Sequence, residues 1–505
     1  MRTKYTIYNS IASLIFYFIT IIIGLVNRKC LITLLGIEYQ GINGLFSNVL
    51  SMLSIAELGI GITIIYHLYR PLAEHDTQMT KCLMAFYKKC YNVIALVVAG
   101  CGLLFIPFLP YFVPDYSLPQ SLNQIYIWFL LDSVCSYLFT YKRSILIADQ
   151  KNYIVTFCDI LYQLTSKLGQ VAVLLVTENF ILYLITMVIC RLAENFLLNF
   201  LVLWKYPFLK EKTEDQLPAY ILEDIKKKVK GTIFHKMGSF FVLGVDNILI
   251  SRFFGLAVVG IYSNYQLIIN TLKNVAVQFV TAATAGVGHL LVEKDEEKNY
   301  GIFCQLQLVN AGIVNFSASG LFCVVTPLIQ FIFGEELVFS DIVVFSLAVK
   351  FYITGMRQVY AVFKEAAGIL YEDRFIPLIE SALNVVASLV CLHFFGVIGV
   401  FIGTIISSFA LFGYTYPVLV YKGLLKRTIK EYSINLLHLT AIAVLSMIVS
   451  YLFVNTFYID TLFIRIIFNC LVCCIIPNFL FYLLYARRKS EWQELLTRIQ
   501  KRITR

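Results

Sequence analysis

Apolar runs of about twenty residues recur along the whole chain, separated by short segments that hold most of the charge. A run of that length is what a helix needs to cross a hydrocarbon core about 30 Å thick. Within such a core every backbone group must be bonded internally, so these segments have helix as their available structure. Only 14% of the 505 residues are charged, against roughly 25% in a soluble domain. The deficit runs from end to end, which excludes a soluble domain on a single anchor. A hydrophobic content of 59% excludes disorder. No cleavable secretory signal is expected, because Met1–Lys4 leads straight into the first apolar run.

The runs predict fourteen spans, at about 8–34, 41–68, 83–110, 121–147, 153–177, 179–204, 232–254, 259–290, 300–332, 339–367, 375–395, 397–421, 434–456 and 461–486. Lys and Arg set the orientation. With the N-terminus inside, the inner segments collect Arg2 and Lys4, then Arg70, Lys81, Lys88 and Lys89, then Lys142, Arg143 and Lys151. A Lys- and Glu-rich interruption at 205–231 follows, and further basic residues lie at 294–298, 364–374, 422–430 and 487–505. The outer loops carry Asp115, Glu178, Glu335, Glu336 and Asp460 with almost no basic partner. This alternation requires an even span count and predicts N-in, C-in topology. The net charge of +10 is therefore an inner-face feature rather than a sign of nucleic-acid binding. Residues 487–505 set Trp492, Leu495, Leu496, Ile499 and Ile503 at helical spacing among Arg498, Lys501, Arg502 and Arg505. They read as a basic amphipathic helix on the anionic inner leaflet, with membrane lipid as its partner.

An internal repeat organises the spans. Leu35-Gly36-Ile37 through Gly41-Ile42 matches Phe254-Gly255-Leu256 through Gly260-Ile261 at an offset of 219. The same offset carries Leu72, Glu74 and Asp76 onto Leu291, Glu293 and Asp295, and brings Pro107 to within one residue of Pro327. The chain then reads as an N-lobe of six helices (1–204), a cytoplasmic linker (205–231), a C-lobe of six (232–422), two further helices (423–486) and the tail (487–505). The fold class is an all-α polytopic membrane protein with two pseudo-symmetric lobes. Six is even, so the repeats are parallel, an arrangement that commonly encloses a cavity and works by rocking. That favours a transporter over a channel.

Charge inside a span costs about 2.5–3.5 kcal/mol on insertion scales. The basic residues in that position are Arg28, Lys29, Lys167, Arg191, Arg252, Lys273, Lys350, Arg357 and Arg465. Arg28, Lys29, Arg252 and Arg465 lie where snorkelling to an interface is an alternative. Arg191 has Glu194 three residues on, the spacing of a structural ion pair. Lys350, Thr354 and Arg357 share one helix face, which meets no acidic residue until Asp341 and Glu365 near its ends. Lys167 stands two turns from Asp159, and Lys273 has no acidic residue within a turn. Two accounts stay open: a cationic cavity built from Lys350, Arg357, Lys167 and Lys273, with Arg28, Arg252 and Arg191 around it, or compensating pairs between helices. The cavity would attract phosphate or pyrophosphate. Glu57 and Asp246 are candidates for ion coupling, or alternatively carboxylates that balance Arg28 or Arg252. Cys470 and Cys473 form a CxxC, but Leu471, Val472 and Ile475 set it inside a helix, as packing rather than metal or redox chemistry. No phosphate-binding loop, nucleophile constellation or metal-ligand cluster is present, so no enzyme activity, cofactor or metal is expected.

Leu35-Gly-Ile-Glu-Tyr-Gln-Gly-Ile-Asn-Gly-Leu-Phe46, Ala56-Glu-Leu-Gly-Ile-Gly61 and Leu68-Tyr-Arg-Pro-Leu72 resemble the Wzx-type polysaccharide flippases. So do Val245-Asp-Asn-Ile-Leu-Ile-Ser-Arg-Phe-Phe-Gly255 and Val259-Gly-Ile-Tyr-Ser-Asn-Tyr265. These belong to the multidrug, oligosaccharidyl-lipid and polysaccharide exporter superfamily. The resemblance implies a bacterial plasma (inner) membrane location and flipping of an undecaprenyl-pyrophosphate-linked oligosaccharide to the outer leaflet. Capsule, O-antigen or exopolysaccharide synthesis would follow, with a polymerase and glycosyltransferases as pathway partners. Proton or sodium coupling is implied in the same way and is not readable from the residues. The alternatives are a lipid II flippase, whose motifs fit less well, and a drug or metabolite antiporter of the same superfamily.

Overall fold

A computed structural model describes residues 2–53, 60–211, 217–281, 284–292, 295–369, 372–489, 492–494 and 497. Among them the only regular secondary structure is helical. The chain divides into two compact units, Met1–Gly260 and Ile261–Arg505. The first holds α1 (Arg2–Leu35), α2 (Ile37–Leu53), α3 (Ile60–Ala73), α4 (Thr77–Phe105), α5 (Leu109–Phe112), α6 (Leu122–Leu138), α7 (Tyr141–Ala148), α8 (Asn152–Thr177), α9 (Phe180–Lys205) and most of α10 (Ala219–Thr281). The second holds the end of α10, then α11 (Thr284–Val292), α12 (Glu296–Phe333), α13 (Asp341–Met356), α14 (Gln358–Ala366), α15 (Ile376–Phe395), α16 (Val397–Ala410) with a π-helical continuation to Leu424, α17 (Ile429–Asn455) and α18 (Leu462–Leu484).

Around an apolar core the molecule also exposes large apolar side chains and seals small polar ones. Leu96, Leu104, Val176, Phe200, Phe394 and Ile475 are each more than half exposed, while Asn247, Asn264, Asn384, Ser407, Thr415 and Ser446 are sealed. Small polar side chains join helices by hydrogen bonds where lipid cannot. Asn384 Nδ2 on α15 donates to Thr404 Oγ1 on α16 at 3.1 Å, and Ser388 Oγ donates to Val400 O at 3.1 Å. This is a multi-pass membrane protein. Ten helices among the described residues have the length and apolarity to cross a membrane. The expected fourteen are redistributed. The run 121–147 is split between α6 and α7 at Phe139–Thr140, and 41–68 is shared by α2 and α3, with 54–59 outside the described residues. The runs 232–254 and 259–290 join in α10 and α11. Apolar length alone does not reveal where a helix breaks.

The offset of 219 returns in backbone geometry. Gly36 ends α1 with φ 112°, and Gly255 breaks α10 with φ 80°. Both lie in a region that L side chains seldom occupy. Five residues on, a Cβ on Gly41 would sit 2.0 Å from Leu256 O, and one on Gly260 would sit 2.4 Å from Ile37 O. The two contacts are reciprocal, each glycine meeting the carbonyl that corresponds to the other's. Asp76 and Asp295 cap α4 and α12 alike, accepting from Met79 N at 2.8 Å and Lys298 N at 3.1 Å. The first part of α10, expected to open the second lobe, packs within the first unit: Ser251 Oγ donates to Phe112 O at 2.9 Å.

All thirteen cysteines are free thiols. Cys473 lies buried in α18, its thiol donating toward Ser319 O at 3.6 Å, and Cys470 is exposed. Beyond the α7 end, Asp149 accepts from Lys151 and, at 2.5 Å, from Tyr206. Burial pushes the Asp149 carboxyl up, but these hydrogen bonds and the lysine charges hold it below its ordinary range.

Candidate functional site

Among the described residues, charged side chains within spans gather in each unit. In the first, α6, α7, α8 and α9 bring five charges together. Arg191 Nη1 lies 3.0 Å from Glu194 Oε2, and its Nε lies 3.4 Å from Asp132 Oδ1. Arg143 binds Asp159 at 2.5 Å through one nitrogen and Glu194 through another. The Arg191 guanidinium also lies over the Tyr162 ring at 3.8 Å. Glu194 therefore bridges two arginines from a nearly sealed position, its side chain 2% exposed. The Arg191–Glu194 pair was readable at i,i+3. Arg143 was not: it sits among inner-face basic residues in the sequence, and its partners are 16 and 51 residues away.

Next to this network lies a polar cluster that includes Lys167 and Arg28. Lys167 Nζ donates to Gln170 Oε1 at 3.4 Å, and its backbone carbonyl accepts from Asn27 Nδ2 at 3.2 Å. Tyr183 donates to Asn27 Oδ1 at 3.0 Å. Lys167 lies within electrostatic reach of Arg28, Asp132 and Arg191. Its expected neighbour Asp159 is taken by Arg143. Asn27, Gln170 and Tyr183 carried no sequence signal beyond being polar in an apolar run.

In the second unit the end of α10 and the α13–α14 junction bring Lys350 and Arg357 within electrostatic reach of Lys273. Lys350 Nζ lies 3.3 Å from Tyr262 Oη and 5.4 Å from the Phe401 ring centre. Thr354 Oγ1 turns back to Lys350 O at 2.9 Å, a bond that bends helices. Arg357 stands at the break between α13 and α14. It is gripped by Glu380 of α15, Nη1 to Oε1 at 2.7 Å and Nη2 to Oε2 at 2.8 Å, and its Nε donates to Tyr416 Oη at 3.3 Å. A compensating pair between helices therefore exists at Arg357, whose own helix face shows none. Glu380 is readable in the sequence as an acidic residue within a span, but not as the partner of Arg357, and Tyr416 carried no signal.

Arg252 is held near Tyr111, its guanidinium 4.7 Å from the ring centre. Asp246 is buried in α10 nine residues before the Gly255 break, at 2% exposure. Glu57 lies outside the described residues. Among the described residues no group of three or more His, Cys, Asp or Glu is placed to hold a metal ion.

No family model matches the sequence, and no curated protein matches it. Solved structures do. The chain is similar to the lipid II flippase MurJ in its inward closed conformation, at 14% identity and TM-score 0.64, over 94% of this chain and 99% of that one. It is similar to an inward-facing multidrug resistance transporter of the MATE family, MOP superfamily, at 13% identity and TM-score 0.61, over 79% and 93%. The Vibrio cholerae MATE transporter VcmN follows at 14% and 0.55, over 82% and 96%. These neighbours are transporters and flippases, and at such identities the likeness establishes a shared fold. Both the superfamily and the finer Wzx-type resemblance rest on the motifs.

Proposed function

We propose that this chain is a flippase that carries an anionic lipid-linked glycan from the cytoplasmic to the outer leaflet of a bacterial plasma membrane by alternating access. The observation that carries this reading is the gathering of Lys273 and Lys350 beside the Arg357–Glu380 pair within apolar spans of the second unit. Lysine and arginine donors at close quarters suit a phosphate or pyrophosphate, which accepts several charge-assisted hydrogen bonds at once. Tyr262, Phe401 and Tyr416 give the group an aromatic surround. Lys167 and Arg28 offer a second patch of the same chemistry in the first unit. The cargo that the motifs favour is an undecaprenyl-pyrophosphate-linked oligosaccharide repeat unit bound for capsule, O-antigen or exopolysaccharide. The pathway's polymerase and glycosyltransferases are the expected partners. The lobes are proposed as 1–204 and 232–422, with two helices added. Asp246 and Glu57 are the proposed points of proton or sodium coupling.

A second reading, export of lipid II, draws support from the near full-length likeness to the lipid II flippase. The two cargoes share a prenyl pyrophosphate and differ in the attached sugars. Complementation separates them: rescue of a strain lacking its polysaccharide flippase supports the first, and rescue of a lipid II flippase depletion supports the second.

The cation site itself is tested by Lys273→Gln with Lys350→Gln, chosen because Arg357→Gln would strand Glu380. Polymer export should fall at least about tenfold, the equivalent of about 1.4 kcal/mol, with the protein still present in the membrane. Export at the parental level would sink the site. The same assay run with proton and sodium gradients collapsed separately checks coupling: indifference to both removes Asp246 and Glu57.

A further inference from the structure

A cavity of about 590 Å³ opens in the first unit where α4 starts, α9 ends and α7 lies between them. Four lysines line it, Lys81, Lys88, Lys142 and Lys210, with Glu211 as the one acidic wall residue. Glu211 is engaged by Lys81. Among the described residues no carboxylate pairs with Lys88 or Lys210, and both side chains are exposed. Lys142 is different. It is 8% exposed, and its ammonium donates to Asn199 of α9, which fixes it in the cavity wall. Met84, Leu203 and Leu209 add apolar lining.

Depth follows from the neighbours. Trp204, next to Leu203 at the end of α9, is 72% exposed, and tryptophan at a span end marks the headgroup level of a bilayer. A basic, partly apolar pocket between spans at that depth suits a phosphate group that carries an acyl chain.

We propose that this cavity binds the phosphate of an anionic phospholipid, with Lys88, Lys142 and Lys210 supplying the charge and Met84, Leu203 and Leu209 receiving the start of an acyl chain. It is separate from the proposed transport cations and does not depend on the cargo. A lipid seated there ties α4, α7 and α9 together on the face where the first unit's basic residues collect.

The test uses the full chain in detergent, with thermal unfolding followed as phosphatidylglycerol, phosphatidylcholine or inorganic phosphate is added. Phosphatidylglycerol should raise the midpoint and phosphatidylcholine should not. Lys88→Gln with Lys210→Gln should weaken the apparent affinity about tenfold, and Lys88→Arg with Lys210→Arg should keep it. These exposed sites spare the fold, and Lys422→Gln with Lys426→Gln, far along the chain, serves as the charge-matched control. A response to inorganic phosphate equal to that for phosphatidylglycerol supports an anion site but overturns the lipid assignment. An unchanged phosphatidylglycerol response in the double Gln variant, or equal loss in the control, overturns the site itself.

Discussion

Arg357 shows what a buried cation needs that its own helix cannot display. On α13 and α14 its face is apolar or polar without charge for more than a turn either way, and the sequence leaves open whether it awaits an anionic ligand or a partner. The partner is Glu380, 23 residues on and in the next helix, 5% exposed and bound through both oxygens. Removing one member strands the other in low dielectric, a loss of about 3–5 kcal/mol, whereas removing both charges costs far less. Arg357→Gln should therefore lower the thermal midpoint sharply, and Arg357→Gln with Glu380→Gln should restore most of it. If the double variant is as unstable as the single one, the pair is not what holds Arg357. The same contrast explains what was legible in the first unit. Arg191 and Glu194 share a helix at a spacing that local geometry reads directly. Asp132 and Arg143 join them only because α6, α7 and α9 pack together, which no local spacing encodes.

Elements follow a simpler code, and here the sequence said more. A repeat offset found by matching letters carried over into matched left-handed glycines, matched helix caps and a reciprocal glycine–carbonyl contact. Letters alone could not show that the two copies meet each other, because Gly41 and Gly260 look like any small residues until Leu256 O and Ile37 O are placed against them. The contact makes a paired prediction. Gly41→Ala and Gly260→Ala each force a methyl against backbone, so the helices must separate; overpacking of this kind costs about 1–3 kcal/mol. Gly24→Ala, with open space around its Cβ, should be neutral or gain about 0.5–1 kcal/mol from helix propensity. Asp76→Ala and Asp295→Ala should cost about 1 kcal/mol each as lost caps. Thermal unfolding in detergent measures all five. Equal stability for Gly41→Ala and Gly24→Ala would mean that the α2–α10 approach is not close in solution.

For the whole molecule, apolar length predicted helices well and their breaks poorly. A run such as 121–147 has no proline or glycine at its middle, yet α6 stops at Leu138 and α7 starts at Tyr141, where Lys142 and Arg143 turn to Asn199, Asp159 and Glu194 of α8 and α9. Tertiary contacts of Lys142 and Arg143, which no local propensity encodes, accompany the break there. Orientation is read from sums of charge rather than from where helices break. In the first unit Lys81, Lys88, Lys142 and Lys210 share one cavity, and Arg252 lies near the Tyr111 ring. Reporter fusions turn the charge pattern into a prediction. Alkaline phosphatase joined after Asp115, Glu178, Glu336 or Asp460 should be active outside the cell. Joined after Asp76, Lys151, Arg374 or Arg427 it should be silent, while a fluorescent protein at the same four points should glow. Since α6 is short, the fusions after Asp115 and Lys151 decide whether 121–147 crosses the bilayer. Activity at both would turn that segment into a re-entrant helix, reduce the span count by one and leave the parity of charge in the following loops without an explanation.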